Sequence, residues 1–161
     1  MPRPRSGVLC PLTFCKMEII PRIGVTNLRF GMTVDQVREV AGLPDADYID
    51  ADDGDRYLCY NRLGVALRFN DEGERRLEWI VVANPEATVF GRKAIGTRFS
   101  EIEALLDTEL HDTKACDDSG YHRYTIWEET WIEVQHTLGW VQQINLGVTF
   151  NSDDEPLWPG E

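Results

Sequence analysis

The sequence predicts an α+β protein of two similar units, each a helical segment packed on a three- to four-stranded antiparallel sheet. Three observations predict it. Phe30-Gly31-Met32-Thr33-Val34-Asp35-Gln36-Val37-Arg38-Glu39-Val40-Ala41 falls on Ile95-Gly96-Thr97-Arg98-Phe99-Ser100-Glu101-Ile102-Glu103-Ala104-Leu105-Leu106, at an offset of 65 that slips to 64 near the end of the repeat. Both stretches read as a glycine, a short cap and a helix with apolar residues at matching steps. Each is followed by a polar loop and three strand-like runs. A repeat of fixed period constrains architecture more than any single motif does.

In the first unit, residues 17-84, Met17 opens a strand through Glu18-Ile19-Ile20. Thr33 and Gln36 form a capping box for a helix whose apolar stripe is Val34, Val37, Val40 and Ala41. Gly42 ends it and Pro44 prevents its return. Asp45 to Asp55 reads as a loop carrying six aspartates: Asp45, Asp47, Asp50, Asp52, Asp53 and Asp55. Strands follow over Arg56 to Tyr60, Val65 to Phe69 and Leu77 to Val82, joined by the turns Asn61-Arg62-Leu63-Gly64 and Asn70-Asp71-Glu72-Gly73.

The second unit, residues 85-150, repeats the plan. Asn84 to Ala94 reads as the linker between copies. Ser100 caps a helix striped by Phe99, Ile102, Leu105 and Leu106. Strands are expected over Tyr121 to Trp127, Thr130 to His136 and Val141 to Phe150. Residues 151-161 form an acidic tail expected to fray except at Trp158. Residues 1-16 hold Arg3, Arg5 and Lys16 and no acid, and read as a disordered or non-native extension.

The repeat assigns faces, because side chains alternate along strands. Leu67 and Phe69 are laid on Ile132 and Val134, and Ile80 and Val82 on Ile144 and Leu146, all beneath the helices. The opposite face then carries Tyr60, Arg68, Trp79, Arg123, Trp127, Trp131, Glu133 and Gln143. Tryptophan among charged neighbours is a binding-surface composition. The alternative is that the linker or a helix covers these rings.

Net charge is −12, and setting aside the three N-terminal cations takes it to −15. A field of that sign repels nucleic acid and anionic lipid and steers a basic partner inward; it also serves solubility. Cys10, Cys15, Cys59 and Cys116 form no C-x-x-C pair and read as reduced thiols of a cytoplasmic protein. No apolar run reaches transmembrane length.

No phosphate loop, H-E-x-x-H or G-x-S-x-G is present. His122 and His136 are placed on strands where they can neighbour each other, as an acid/base pair or as ordinary sheet histidines. Asp50-Ala51-Asp52-Asp53-Gly54-Asp55 has calcium-loop composition, but its glycine is one place early and Asn61 stands where a bidentate glutamate belongs. A solvated loop that meets a basic partner fits better. No catalytic residue, cofactor or metal is assigned.

Phe30-Gly31-Met32-Thr33-x-x-x-Val37-x-x-x-x-Gly42-x-Pro44 is similar to the helix entry of the SmpA/OmlA-type small domain. Doubled, such a unit resembles the β-lactamase inhibitory protein family, whose tandem domains present a sheet to a target enzyme. Small acidic proteins of this build also look like bacterial immunity proteins of contact-dependent and polymorphic toxin systems. The second copy lacks the Gly-x-Pro exit, having Leu106-Asp107-Thr108 there.

The resemblance implies a non-enzymatic immunity protein that neutralises a cognate toxin, of the basic nuclease type, by stoichiometric binding. The residues assigned to contact are Asp50, Asp52, Asp53 and Asp55 for charge, and Trp79, Trp127 and Trp131 for desolvated anchoring, with the remaining residues of the open face around them. An envelope or assembly scaffold and a small ligand-binding domain or enzyme are the alternatives, the last favoured by any pocket around His122 and His136.

Overall fold

Two edge strands that would otherwise stand unpaired meet at the centre of this molecule and fuse its two halves. The computed structural model describes residues 14–161, which form thirteen strands and two helices. After a short strand β1 (Met17–Ile20) comes a hairpin of β2 (Gly24–Val25) and β3 (Leu28–Arg29), then helix α1 (Val34–Ala41) and a meander of β4 (Ala46–Ile49), β5 (Arg56–Tyr60), β6 (Val65–Phe69) and β7 (Leu77–Val82). The order then recurs: a hairpin of β8 (Ala87–Val89) and β9 (Arg92–Lys93), helix α2 (Phe99–Leu110), and a meander of β10 (Lys114–Ser119), β11 (His122–Trp127), β12 (Ile132–Thr137) and β13 (Trp140–Gly147).

The meanders do not form separate sheets. β7 pairs antiparallel with β13, giving one eight-stranded sheet of order β10-β11-β12-β13-β7-β6-β5-β4. At this seam Ile80 pairs with Leu146 and Val82 with Ile144. The sequence overlay matches Ile80 to Ile144 and Val82 to Leu146, so each residue meets the partner of its own equivalent. This is the reciprocal pairing of a two-fold contact. It removes two sheet edges, whose bare N–H and C=O groups are a liability. The hairpins join likewise, through parallel pairing of β1 with β8, into a five-stranded sheet β3-β2-β1-β8-β9.

The expectation of an α+β fold with a helix on a small sheet in each unit is therefore corrected. The molecule is mostly β, with two sheets shared by both copies and only two helices among the described residues. Segments read as loop or linker became strands: β8 and β9 in the linker, β4 and β10 after the helices. β8 and β9 are too short to carry alternation, and β4 and β10 fully bury no side chain, so neither alternates apolar with polar.

Both copies make the same backbone joints. Leu77 N–H donates to Met32 C=O at 2.8 Å, and Val141 N–H to Thr97 C=O at 2.9 Å. Gly31 N–H donates to Leu77 C=O at 2.9 Å, and Gly96 N–H to Val141 C=O at 2.8 Å. Following the ladders outward corrects the overlay used for the strands. Leu67 pairs with Ile80 while Val134 pairs with Ile144, so Leu67 is the counterpart of Val134 and Phe69 of His136. The slip of two residues preserves the faces. It arises because α2 has twelve residues and α1 eight, while the connection from Cys116 to its partner Thr125 is two residues shorter than that from Asp47 to Leu58.

One core fills the space between the inner face of the large sheet and the layer made by the helices and the small sheet. Leu58, Leu67, Phe69, Ile80, Ile132, Val134, Ile144 and Leu146 meet Ile19, Val25, Phe30, Val37, Ile102 and Leu106, all buried. Each such side chain contributes about 1.5–3 kcal/mol on burial. Thr33 caps α1 with a full capping box, as the sequence indicates. The start of α2 differs: Arg98, not Ser100, is its N-cap, and no side chain caps it.

The tail does not fray. Leu157 N–H bonds Thr149 C=O at 2.8 Å, Trp158 covers Gly31, and Arg76 lies over the Trp158 ring and pairs with Glu161 at 2.7 Å. The expectation for the N-terminal extension, and Cys10 with it, falls largely outside the described residues.

Candidate functional site

The uncovered face of the large sheet carries one continuous cross-strand row. Tyr48 pairs with Tyr57, Tyr57 with Arg68, Arg68 with Trp79, and Trp79 with Gly147. Adjacent strands lie about 4.8 Å apart, so the row spans about 19 Å. The Tyr48 and Tyr57 rings stack at 5.3 Å with 10° between planes. The Arg68 guanidinium lies over the Trp79 ring, 5.3 Å from its centroid. Trp131, from the turn before β12, meets Trp79 edge-on and in turn contacts Phe150.

Trp131 occupies a position where the first copy has glycine. Tyr60 pairs with Val65 across the β5–β6 turn, and Trp127 with Ile132 across the β11–β12 turn. Gly64 and Trp131 each precede the second strand, and both are left-handed, at φ 62° and 53°. Such a conformation costs a non-glycine residue roughly 1–2 kcal/mol. The ring it carries is 40% exposed. A strained backbone holding a large apolar ring at the surface is the pattern of a contact residue. Gly147 makes room for it: a Cβ there would lie 2.9 Å from Trp131 Cγ and from Trp79 Cζ3.

Charge flanks the row. Arg68 Nη2 lies 3.2 Å from Glu78 Oε1, and its Nε 3.5 Å from Asp55 Oδ2. Nε is buried and has no hydrogen-bond partner among the described residues. Burial pushes the Glu78 carboxyl up against the pull of Arg68. Burial and then Asp53 push Asp55 up. The Asp50–Asp55 loop is internally braced: Asp52 N–H donates to Asp50 Oδ1 at 2.8 Å and Asp55 N–H to Asp53 Oδ1 at 2.9 Å. Those carboxylates form turns, and among the described residues no cluster of metal-holding side chains occurs. Asp45 and Asp47 are not both loop residues, since Asp47 lies on β4, where Arg56 and Arg38 clasp it.

On the other side of the seam the face is polar. Gln143 Nε2 donates to Asn145 Oδ1 at 3.1 Å, and Asn145 Nδ2 to Glu133 Oε1 at 2.6 Å.

Of the residues assigned from sequence, Arg68, Trp79, Trp131, Glu133 and Gln143 share this face, and the Asp50–Asp55 loop adjoins it through the Asp55–Arg68 contact. Three do not belong to it. Tyr60 is buried on the inner face, where its hydroxyl donates to Gly42 C=O at 3.0 Å. Trp127 is fully buried, its indole N–H donating to Asp107 at 3.0 Å. Arg123 shares the inner-face alternation of Thr125 and Trp127, at the rim beside α2. The overlay anchors the parity of β6, β7, β12 and β13 alone; carried to β5 and β11 it puts Tyr60, Arg123 and Trp127 on the open face, whereas Tyr60 pairs with Val65 and Trp127 with Ile132, both inner residues. Tyr48, Tyr57 and Phe150 were missed. Tyr57 alternates with Cys59 and so shares the parity opposite to Leu58, which is the signal that finds it.

His122 and His136 do not neighbour each other. His122 Nδ1 meets Thr137 Oγ1 at 3.0 Å on the outer side, while His136 is buried on the inner side against Phe99.

No family model matches the chain, and no curated protein matches it significantly. Among solved structures it is similar to an extracellular protein containing an SCP domain from Bacillus anthracis str. Ames, at 13% identity and a TM-score of 0.45. That likeness covers 73% of this chain and 43% of the other, less than half its length, and carries no functional argument. No helix of the described residues is long and apolar enough to cross a membrane.

Proposed function

We propose that the chain is a binding protein that neutralises a basic protein partner by occupying it with the open face of the large sheet, as an immunity protein does its toxin. The observation that carries this reading is the row Tyr48–Tyr57–Arg68–Trp79 ending in Trp131. Aromatic rings and arginine at the centre of a surface, with charge at its rim, are the composition of interface hot spots. The Asp50–Asp55 loop beside Arg68 supplies the rim, and the net charge of −12 supplies steering toward a cation-rich surface. Nuclease clefts are basic because they hold phosphates, which is why that toxin class suits an acidic inhibitor.

The test is growth rescue. The chain, co-expressed with the toxin domain encoded beside it, should relieve growth arrest, and Trp131→Gly should abolish relief at equal protein level. Arrest that persists with the intact chain, or relief unaffected by Trp131→Gly and Trp79→Ala, overturns the proposal.

A further inference from the structure

The two copies differ at one place in a concerted way, and the difference opens a cleft in the second. In the first copy the helix start is closed by its own residues. Thr33 caps α1, Phe69 fills the inner face beside it and is fully buried, and Arg56 is held by both carboxylate oxygens of Asp47 at 2.8 Å.

Ladder positions give the counterparts in the second copy. Thr33 bridges Arg76 as Arg98 bridges Trp140, so Arg98 replaces Thr33. Phe69 pairs with Arg56 as His136 pairs with Arg123, so His136 replaces Phe69 and Arg123 stands for Arg56. Asp47 pairs with Leu58 as Cys116 pairs with Thr125, so Cys116 replaces the clasping aspartate.

The outcome is a helix without a side-chain cap, a buried histidine and a released arginine, all lining one cleft of about 560 Å³. Arg123 is 65% exposed at its side chain, and its one ion pair among the described residues is with Asp118, at 3.4 Å. In the first turn of α2 Phe99 N–H donates to Gly139 C=O at 2.8 Å and Glu101 N–H to Arg98 C=O at 3.1 Å, which leaves the Ser100 N–H as the amide there without an acceptor among the described residues. His136 is 7% exposed and stacks on Phe99 with centroids 3.7 Å apart. Burial, then Arg123, hold its imidazole below the usual range, against Glu103 and Asp118. Tyr121 and Leu138, both highly exposed, form apolar walls of the same cleft.

We infer that this cleft binds a small molecule bearing an oxyanion on an apolar body, with the oxyanion on Arg98, Arg123, His136 and the Ser100 N–H. Two arginines beside the one unpaired amide of a helix's first turn favour an anion, and guanidinium contacts to oxyanions are the strong kind of hydrogen bond. Two of the substitutions, Arg98 for Thr33 and Cys116 for Asp47, remove a group that satisfied the first copy internally. The site is independent of the open-face proposal, lying on the other side of the sheet.

The experiment is an NMR titration of the full chain with phenyl phosphate and, separately, inorganic phosphate, following the Ser100 amide and the His136 ring. Phenyl phosphate should shift both saturably and bind more tightly than inorganic phosphate. Restoring the first copy's residues should close the site: Cys116→Asp and Arg98→Thr should each weaken binding about tenfold or more without lowering the melting temperature. Absence of saturable shifts in the unaltered chain overturns the proposal whatever the variants do. So does unchanged affinity in a folded Cys116→Asp variant. Tighter binding of inorganic phosphate than of the ester overturns the apolar body.

Discussion

Trp131 and Trp79 meet edge to face across the seam between the two copies, their centroids 6.3 Å apart and their planes at 89°. One comes from the β11–β12 turn and the other from β7, so the contact spans the β7–β13 junction that fuses the sheets. The same pair caps the aromatic row. Stability and binding therefore meet at this point, and substitutions can separate them.

Trp131→Gly is the separating change. It removes a half-exposed ring and its contact with Trp79, a loss of about 1–2 kcal/mol. It also relieves the left-handed strain at φ 53°, a gain of about 1 kcal/mol. The melting temperature should move by only a few degrees. Loss of an interface anchor costs roughly 2–4 kcal/mol, so affinity for the partner should fall about thirtyfold or more. Calorimetry and binding on the same preparation decide it. A large drop in melting temperature with affinity retained would make Trp131 a structural residue.

Gly147→Ala should disturb both properties. Its backbone does not need glycine, but the added methyl meets two indole rings at 2.9 Å. Both rings belong to the tight seam, so overpacking should destabilise by about 1–3 kcal/mol. Indole fluorescence should change along with the melting temperature. An unaltered spectrum and stability would mean that the rings move aside freely and the cluster is not preorganised.

Much of the first copy was legible because its signals are local. Thr33, Gln36 and Gly42 mark the ends of α1, and turn residues bracket β5, β6 and β7. What was not legible is non-local. Nothing in Leu77–Val82 says that its free edge meets its own counterpart in the second copy, since an edge strand and a central strand with one buried face read alike. Trp127 was placed on the open face by the alternation that the repeat assigned. Only tertiary context reveals Asp107 as its buried partner. Trp131 was placed on the correct face for the wrong reason. Alternation along β12 suggested it, whereas a glycine-like turn position holds it there.

Asp47 gives the pH dependence a definite sign. Two hydrogen bonds from Arg56, and then Arg38 beside it, hold its carboxyl below its usual value of 3.8. A folded value below the unfolded one means that the group stabilises above the unfolded value and stops doing so as pH falls through the folded value. Asp47→Asn should lower stability at pH 7 by about 1 kcal/mol, the scale of a well-formed pair that is still partly solvated. The difference from the unaltered chain should shrink as pH falls below the usual value of 3.8 and is lost as pH falls through the lower, folded value. Denaturant melts across that range test it, and a constant difference would show that the clasp acts by packing rather than by charge.

Trp127 provides the converse of Trp131. It sits at the end of β11 opposite Ile132, is fully buried, and donates its indole N–H to Asp107 at 3.0 Å. Asp107 also holds Lys114 at 2.8 Å, and Lys114 reaches over the indole ring at 5.9 Å. The ring thus ties β11 to α2 and β10 at once. Trp127→Ala should cost about 3–5 kcal/mol of folding stability, as large core truncations do. Trp127→Phe keeps most of the volume and should cost less, about 1–3 kcal/mol, for the lost indole hydrogen bond and the space the smaller ring leaves. Neither change touches the open face, so the folded fraction should bind the partner with unchanged affinity. Measuring affinity well below the melting temperature, with Trp127→Phe as the folded reference, separates the two effects. Weakened binding by folded Trp127→Phe at unchanged stability would return this residue to the interface and move the contact surface to the helix side of the sheet.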